Sequence, residues 1–61
     1  MPVITVALLE GRSEDTKAEL ARALTDAVAD IAGAPRDGTV VIFQDYAKAD
    51  WAENGTLLSR P

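Results

Sequence analysis

PVITVALL, the run from Pro2 to Leu9, is rich in β-branched residues and almost continuously apolar. Such a run is typical of a strand that is covered on both faces, or on one face and at a subunit boundary. EGRS, residues 10–13, interrupts it, and Ser13 is a favourable helix N-cap residue. Acidic residues at positions 14 and 15 then lie where the helix dipole favours negative charge. The chain is therefore predicted to begin with a strand that leads directly into a helix.

The segment after this break is predicted to form one helix, from about residue 14 to residue 32. Its frequent alanines favour the helical conformation. Gly33 is the predicted C-cap residue, and Pro35 prevents the helix from continuing. Apolar residues recur at three- and four-residue spacing and are expected to form one stripe that faces a sheet. This stripe consists of Leu20, Leu24, Ala27, Val28 and Ile31.

The second half of the chain supplies the partner strand. PRDG, residues 35–38, is a turn signal, and residues 39–44 form a second apolar, β-branched run. A strand, a long helix and a strand predict two parallel strands with a right-handed crossover. Asn54-Gly55 is typical of a hairpin turn, with residues 56–58 as a short final strand. We therefore predict an α/β (α+β) fold, a single β-α-β unit with a short C-terminal hairpin.

The size of the chain indicates that it does not act alone. Its 61 residues suffice for a single domain, residues 1–61. A lone hydrophobic core of this size rarely contributes more than about 3–5 kcal/mol to the stability of the fold. The sequence has no Cys and no His, which excludes disulfides, thiolate sites and the common zinc sites. Oligomerisation remains as the means of burying enough apolar surface. Two β-α-β units would pair into a four-stranded sheet covered by two helices.

The charge of the chain narrows the classes of partner. The net charge is −4 and the calculated pI is about 4.4. The six cationic residues are spread thinly and form no basic face, so we predict no nucleic-acid partner. No apolar run approaches the roughly 20 residues needed to cross a bilayer, and no signal-peptide pattern is present. We therefore expect a cytoplasmic protein without a membrane partner.

The absence of His and Cys removes the usual bases and nucleophiles, which directs attention to Pro2. Initiator methionine is generally removed when the second residue is small, and removal of Met1 would leave a secondary amine at the start of a strand. Burial and nearby cations would lower the pKa of this amine toward neutrality, where a general base works best. The alternative is a proline that only begins a strand, where proline is tolerated. Judged by position alone, this alternative is favoured.

Three other residues are candidates for binding. Arg12 lies one residue before the helix N-cap, where a guanidinium and free backbone N–H groups would bind a carboxylate. The alternative for Arg12 is an exposed loop arginine. Trp51, the only tryptophan, would line an apolar pocket or a subunit interface. Arg36 has the pattern of a turn residue that faces solvent.

These residues together resemble a known family. The features that carry the resemblance are Pro2, the segment Leu8-Leu9-Glu10-Gly11-Arg12-Ser13, Lys17, the pair Ala34-Pro35 and the segment from Trp51 to Asn54-Gly55. In this order and spacing they resemble the 4-oxalocrotonate tautomerase (2-hydroxymuconate tautomerase) family of the tautomerase superfamily, over nearly the whole chain. The resemblance implies the β-α-β fold, dimers with four-stranded sheets, and usually a homohexamer built as a trimer of dimers.

The resemblance also implies an activity, the enol–keto tautomerisation of a small, 2-hydroxymuconate-like 2-hydroxy or 2-oxo acid without cofactor or metal. Pro2 would be the catalytic base and then the acid, and Arg12 would bind a substrate carboxylate. Trp51 takes the place of the pocket aromatic, usually Phe. The family's second arginine corresponds to Val40 here, which favours a monocarboxylate substrate or a different, promiscuous activity over a dicarboxylate such as 2-hydroxymuconate. Arg36 from a neighbouring subunit would then replace it in substrate binding, or Arg60 on the tail.

Two alternatives to the tautomerase remain. The first is hydration or dehalogenation of an unsaturated acid, which needs a group that activates water, and no residue is an obvious candidate. The second is a non-catalytic oligomeric protein that binds a small acid. Retention of Met1 would favour this second alternative, because the nitrogen of Pro2 would then be an amide without basicity.

Overall fold

The computed structural model describes residues 1–60 and has a β-α-β unit followed by a short hairpin. The predicted β-α-β unit with a C-terminal hairpin is therefore confirmed. Pro61, the last residue of the predicted domain, lies outside the described residues. The elements in chain order are β1 (Val3–Leu9), α1 (Glu14–Ala32), a first 3-10 turn (Arg36–Gly38), β2 (Val40–Tyr46), a second 3-10 turn (Lys48–Asp50), β3 (Ala52–Glu53) and β4 (Thr56–Leu57).

Both ends of α1 are capped as the sequence predicts. At the start, the Ser13 hydroxyl accepts a hydrogen bond from the backbone N–H of Thr16 at 3.1 Å. At the end, Gly33 adopts the left-handed conformation with φ of 71°, and its N–H donates to the carbonyl of Val28. A residue with a Cβ is strained at this φ, which explains why glycine ends the helix. The predicted bounds, residues 14–32, are confirmed.

The two long strands are parallel and in register from one end to the other, with Val3 opposite Val40 and Leu9 opposite Tyr46. The predicted bounds of the second strand, residues 39–44, are wrong, because β2 begins at Val40 and extends to Tyr46. The last residues of β2, Gln44 to Tyr46, are mostly polar, and their composition does not indicate a strand. The backbone nevertheless pairs there, and Glu10 N–H donates to the Tyr46 carbonyl at 2.8 Å.

The helix covers only one face of this sheet. Side chains along both strands alternate between half-buried and exposed positions, and the exposed face carries Val3, Val40 and Ile42 at 57%, 40% and 43% exposure. Within residues 1–60 no side chain is fully buried. Of the two interpretations of the β1 run, coverage on one face with the other at a subunit boundary agrees with this arrangement better than coverage on both faces.

The predicted apolar stripe of α1 is correct at three of its five residues and wrong at the other two. Leu20, Leu24 and Val28 are half-buried, whereas Ala27 is exposed and Ile31 is 87% exposed. The helix has 19 residues and the strands have seven, which correspond to lengths of about 28 Å and about 23 Å. The helix is therefore about 5 Å longer than the strands, and Ile31 in its last turn is exposed.

The protomer is more extended, and exposes more surface, than a compact monomer of the same length. Its radius of gyration is 14.6 Å and its extents are 44 × 23 × 14 Å, whereas a compact domain of this length has a radius of gyration of about 10.5 Å. Its accessible surface is 4564 Å², against about 3,800 Å² for a folded monomer of 6.5 kDa. This excess supports the prediction that the chain needs partner subunits.

The C-terminal hairpin forms a separate two-stranded sheet, with β3 antiparallel to β4. Its turn is made by Asn54 and Gly55, both with positive φ, 52° and 80°. This pair of conformations is the one that a two-residue hairpin turn prefers, and the sequence prediction of a turn is confirmed. Across residues 1–60, no helix combines the length and the apolar character required to span a membrane.

Candidate functional site

The parallel sheet divides the candidate site residues between two ends of the protomer. We call the end with Pro2, the first 3-10 turn and Val40 the proline end. The opposite end, with Arg12, Tyr46 and Trp51, is the arginine end. Between Pro2 and Leu9 the chain advances by about 23 Å, at about 3.3 Å per strand residue. Pro2 and Arg12 of one protomer are therefore too far apart to bind the same small acid.

At the proline end, Pro2 is half-buried. Its carbonyl accepts a hydrogen bond from the N–H of Val40 at 3.0 Å, which fixes it against the start of β2. Met1 is 91% exposed, so its side chain contributes almost nothing to packing. The first 3-10 turn is also held firmly, because the Thr39 hydroxyl donates to the carbonyl of Pro35 at 2.9 Å.

Arg36 lies in this turn, at the same end of the protomer as Pro2. Its guanidinium forms an ion pair with Asp26 of α1. Both side chains remain largely accessible, at 57% and 44% exposure. Arg36 is thus exposed, as its turn position predicts. Asp26 directs its guanidinium toward the helix, and the local sequence pattern does not indicate this partner.

At the arginine end, Arg12 is exposed and lies in the loop between β1 and α1. One of its terminal nitrogens donates to the carbonyl of Leu9 at 3.1 Å. A guanidinium carries five N–H donors in a planar arrangement that matches a carboxylate. The bond to Leu9 therefore orients the side chain and leaves further donors for an anion.

Trp51 is half-buried and follows the second 3-10 turn. Its carbonyl accepts from the N–H of Leu58 at 2.9 Å, which ties it to the hairpin. Its ring meets that of Tyr46 edge to face, with centroids 6.1 Å apart and an interplanar angle of 68°. The Tyr46 hydroxyl in turn donates to the side-chain oxygen of Gln44 at 3.1 Å. Tyr46 therefore supports the ring of Trp51.

The sequence pattern indicates neither Tyr46 nor the ion pair between Lys17 and Asp45. This ion pair joins the second turn of α1 to the end of β2, with side-chain exposures of 24% and 39%. It holds the start of the helix, and with it the loop that carries Arg12, against the strand that leads to Trp51. The two partners are 28 residues apart, so no local spacing could have indicated the pair.

The structure thus brings Arg36 and Val40 to the end with Pro2, and Trp51 to the end with Arg12. It does not bring Pro2 and Arg12 together within one protomer. A twofold pair of antiparallel protomers would place the proline end of one beside the arginine end of the other. Residues 1–60 of a single protomer enclose no pocket, and no three acidic side chains among them are grouped closely enough to hold a metal ion.

Comparison with known proteins places this arrangement in context. The sequence model of the family described as tautomerase enzyme matches residues 2–60. A probable tautomerase of Bacillus cereus is 42% identical over 59 residues, which are 97% of each chain. A crystal structure of a 4-oxalocrotonate tautomerase homologue superposes with a TM-score of 0.93 at 38% identity, covering 100% of this chain and 97% of the other. A heterohexamer 4-oxalocrotonate tautomerase from Chloroflexus aurantiacus has a TM-score of 0.91 at 35% identity, with 98% and 97% coverage.

Proposed function

The chain belongs to the tautomerase family, and from that membership we propose that it interconverts the enol and keto forms of a small 2-hydroxy or 2-oxo acid. The substrate shares with 2-hydroxymuconate a carboxylate next to an enol carbon. The reaction uses no cofactor. The observation that carries the proposal is the placement of Pro2. It is half-buried at the start of the sheet, in a chain without His or Cys, and the family match begins at this residue.

In this proposal Met1 is removed and the nitrogen of Pro2 becomes a free secondary amine. The amine takes the proton of the enol hydroxyl, and the electron pair of the O–H bond forms the carbonyl. The π pair of the enol double bond then takes the proton back from the prolinium at carbon. One group thus acts as base and then as acid.

The carboxylate of the substrate binds to Arg12 of a neighbouring subunit. Two features support this assignment, the separation of about 23 Å between the two ends of β1 and the donors of Arg12 that the bond to Leu9 leaves free. Trp51 of the same neighbour forms the apolar wall. A guanidinium beside the amine disfavours its protonation, and so does exclusion of water by an indole ring.

The assembly proposed for this chain is a homohexamer, with the cytoplasm as its location. The apolar sheet face with Val3, Val40 and Ile42 and the surface excess of the protomer support an assembly. The similarity to a heterohexamer supports the number of subunits. We propose that residues 1–61 act as one domain within each subunit.

The test is the Pro2→Ala variant, assayed for ketonisation of 2-hydroxymuconate and phenylenolpyruvate. Intact mass must first show that Met1 is absent from both proteins. We expect kcat/KM to fall by at least about a hundredfold, because proton transfer by a positioned group contributes about 10²- to 10⁴-fold. Arg22→Ala is the control, since Arg22 is an exposed helix residue. Unchanged turnover by Pro2→Ala would refute the proline mechanism, and a wild type that binds small acids without turning them over would favour the non-catalytic alternative.

A further inference from the structure

The charges at the proline end are unusual for a site that receives an acid. Among residues 1–60, Arg36 is the one cationic side chain that the fold places at this end. Three carboxylates accompany it on the last turns of α1 and in the first 3-10 turn. The C-terminus of α1 adds negative partial charge, and its last turn has no basic residue. The carboxylates are those of Asp26, Asp30 and Asp37.

Asp26 already neutralises this one cation through the ion pair with Arg36. An exposed ion pair of this kind shifts an equilibrium by no more than about fivefold. The pair is therefore weak enough to be exchanged, yet while it is formed the guanidinium is turned toward the helix. Arg36 precedes Val40 by four residues, and Val40 is hydrogen-bonded to Pro2. A guanidinium on a long flexible stem, released from Asp26, could therefore approach Pro2.

We infer that Asp26 is a specificity-determining residue that holds Arg36 away from the substrate, so that the site accepts an enol acid with one carboxylate and discriminates against a second. This inference rests on the proposed function, in which Arg12 of a neighbour binds the first carboxylate. A second carboxylate would lie at the proline end. It would meet the exposed side chain of Val40, which offers no hydrogen bond.

An apolar substrate tail suits the same surroundings. Val40 is 40% exposed beside Pro2, and Trp51 would approach from the neighbouring subunit. Contact with these two side chains removes apolar surface of the tail from water, which favours an aryl or alkyl group at the position where a dicarboxylate carries charge. The substrate class is therefore a monocarboxylic enol acid with an apolar tail.

The experiment compares two ligands that differ by one carboxylate, adipate and hexanoate, in binding to the wild type and to Asp26→Asn. The fluorescence of Trp51 reports binding. We expect the wild type to bind hexanoate at least as well as adipate, and Asp26→Asn to increase the ratio of adipate to hexanoate affinity by up to about fivefold, because the guanidinium of Arg36 no longer has to leave an exposed ion partner. Asp26→Asn/Arg36→Gln should return the ratio to the wild-type value, and Asp26→Glu should preserve it.

Asp30→Asn is the matched control, because it removes the same charge from the same end of α1 and Asp30 has no ion pair within the described residues. An equal increase in Asp30→Asn would show a general charge effect and overturn the inference. An unchanged ratio in Asp26→Asn, with the oligomer intact by size-exclusion chromatography, would also overturn it. Turnover of 2-hydroxymuconate and phenylenolpyruvate separates this inference from the proposed function. A wild type that turns over neither acid refutes the function, whereas the affinity ratios test Asp26 independently of turnover.

Discussion

Mixed assemblies of two inactive variants should recover activity. The variants are Pro2→Ala and Arg12→Gln, each of which lacks one of the two groups that the proposed site requires. The ends of β1 are about 23 Å apart, so a working site must take Pro2 from one chain and Arg12 from another. In a random one-to-one mixture, half of the sites have an intact Pro2, and half of these receive an intact Arg12. About one quarter of the wild-type activity is therefore expected, whatever the number of subunits.

The assay is the ketonisation of phenylenolpyruvate after the variants are dissociated together in denaturant and refolded. Native mass spectrometry should show that the subunits have exchanged. The control is the same pair of proteins refolded separately and then mixed, which should give only the mean of the two residual activities. If exchange is complete and the activity still equals that mean, the two groups act within one protomer and the argument from the length of β1 is wrong.

Three further predictions concern the sheet face, the aromatic pair and the helix end. Ile42→Glu should dissociate the assembly, because it places a charge on the exposed apolar face of the sheet, and size-exclusion chromatography will show the smaller species. Tyr46→Leu should raise KM more than it lowers kcat and should shift the emission of Trp51 to the red, because the indole loses its edge contact. Gly33→Ala should lower the free energy of unfolding by about 1 kcal/mol, measured in urea, because of the positive φ.

Each of these three has a control and a contradicting outcome. For the sheet face the control is Glu19→Gln on the exposed side of α1, and an intact oligomer in the Ile42 variant would contradict the prediction. Tyr46→Phe keeps the ring and should keep the emission of Trp51 unchanged, so an equal shift in this variant would argue against the edge contact. Gly38→Ala is the control for Gly33, because an added Cβ there meets only Pro35 at 3.5 Å and φ is not positive. Equal losses in the two glycine variants would contradict the conformational argument.

The elements of the fold could be predicted from the sequence because local chemistry determines them. The hydroxyl of Ser13 caps α1, the left-handed Gly33 ends it, and Asn54 with Gly55 turns the hairpin. The end of β2 could not be predicted in this way, because pairing with β1 rather than composition extends the strand to Tyr46. The exposure of Ile31 could not be predicted either, because the spacing of apolar residues in a helix does not show how long the sheet beside it is.

The residues of the candidate site were indicated by their type, whereas their arrangement was not. Pro2, Arg12 and Trp51 were indicated by their positions relative to a strand, a helix start and a polar loop. Their division between two ends follows from the parallel topology. The partners of charged residues were not predictable, because the pairs Lys17–Asp45 and Asp26–Arg36 join separate elements. For Arg36 that partner changes the interpretation, since an arginine already neutralised by an aspartate differs from one that is free to bind substrate.

The exposed valine and isoleucine face of the sheet makes the yield of working protein depend on how many chains are synthesised at once. In the proposed assembly, a newly synthesised chain has one face of its sheet uncovered until it meets another copy. The rate of this first encounter rises with the square of the chain concentration, so doubling the expression level raises it about fourfold. At low expression the unassembled chain remains exposed to proteases for longer. Cellular abundance is therefore expected to respond more steeply than in proportion to gene dosage.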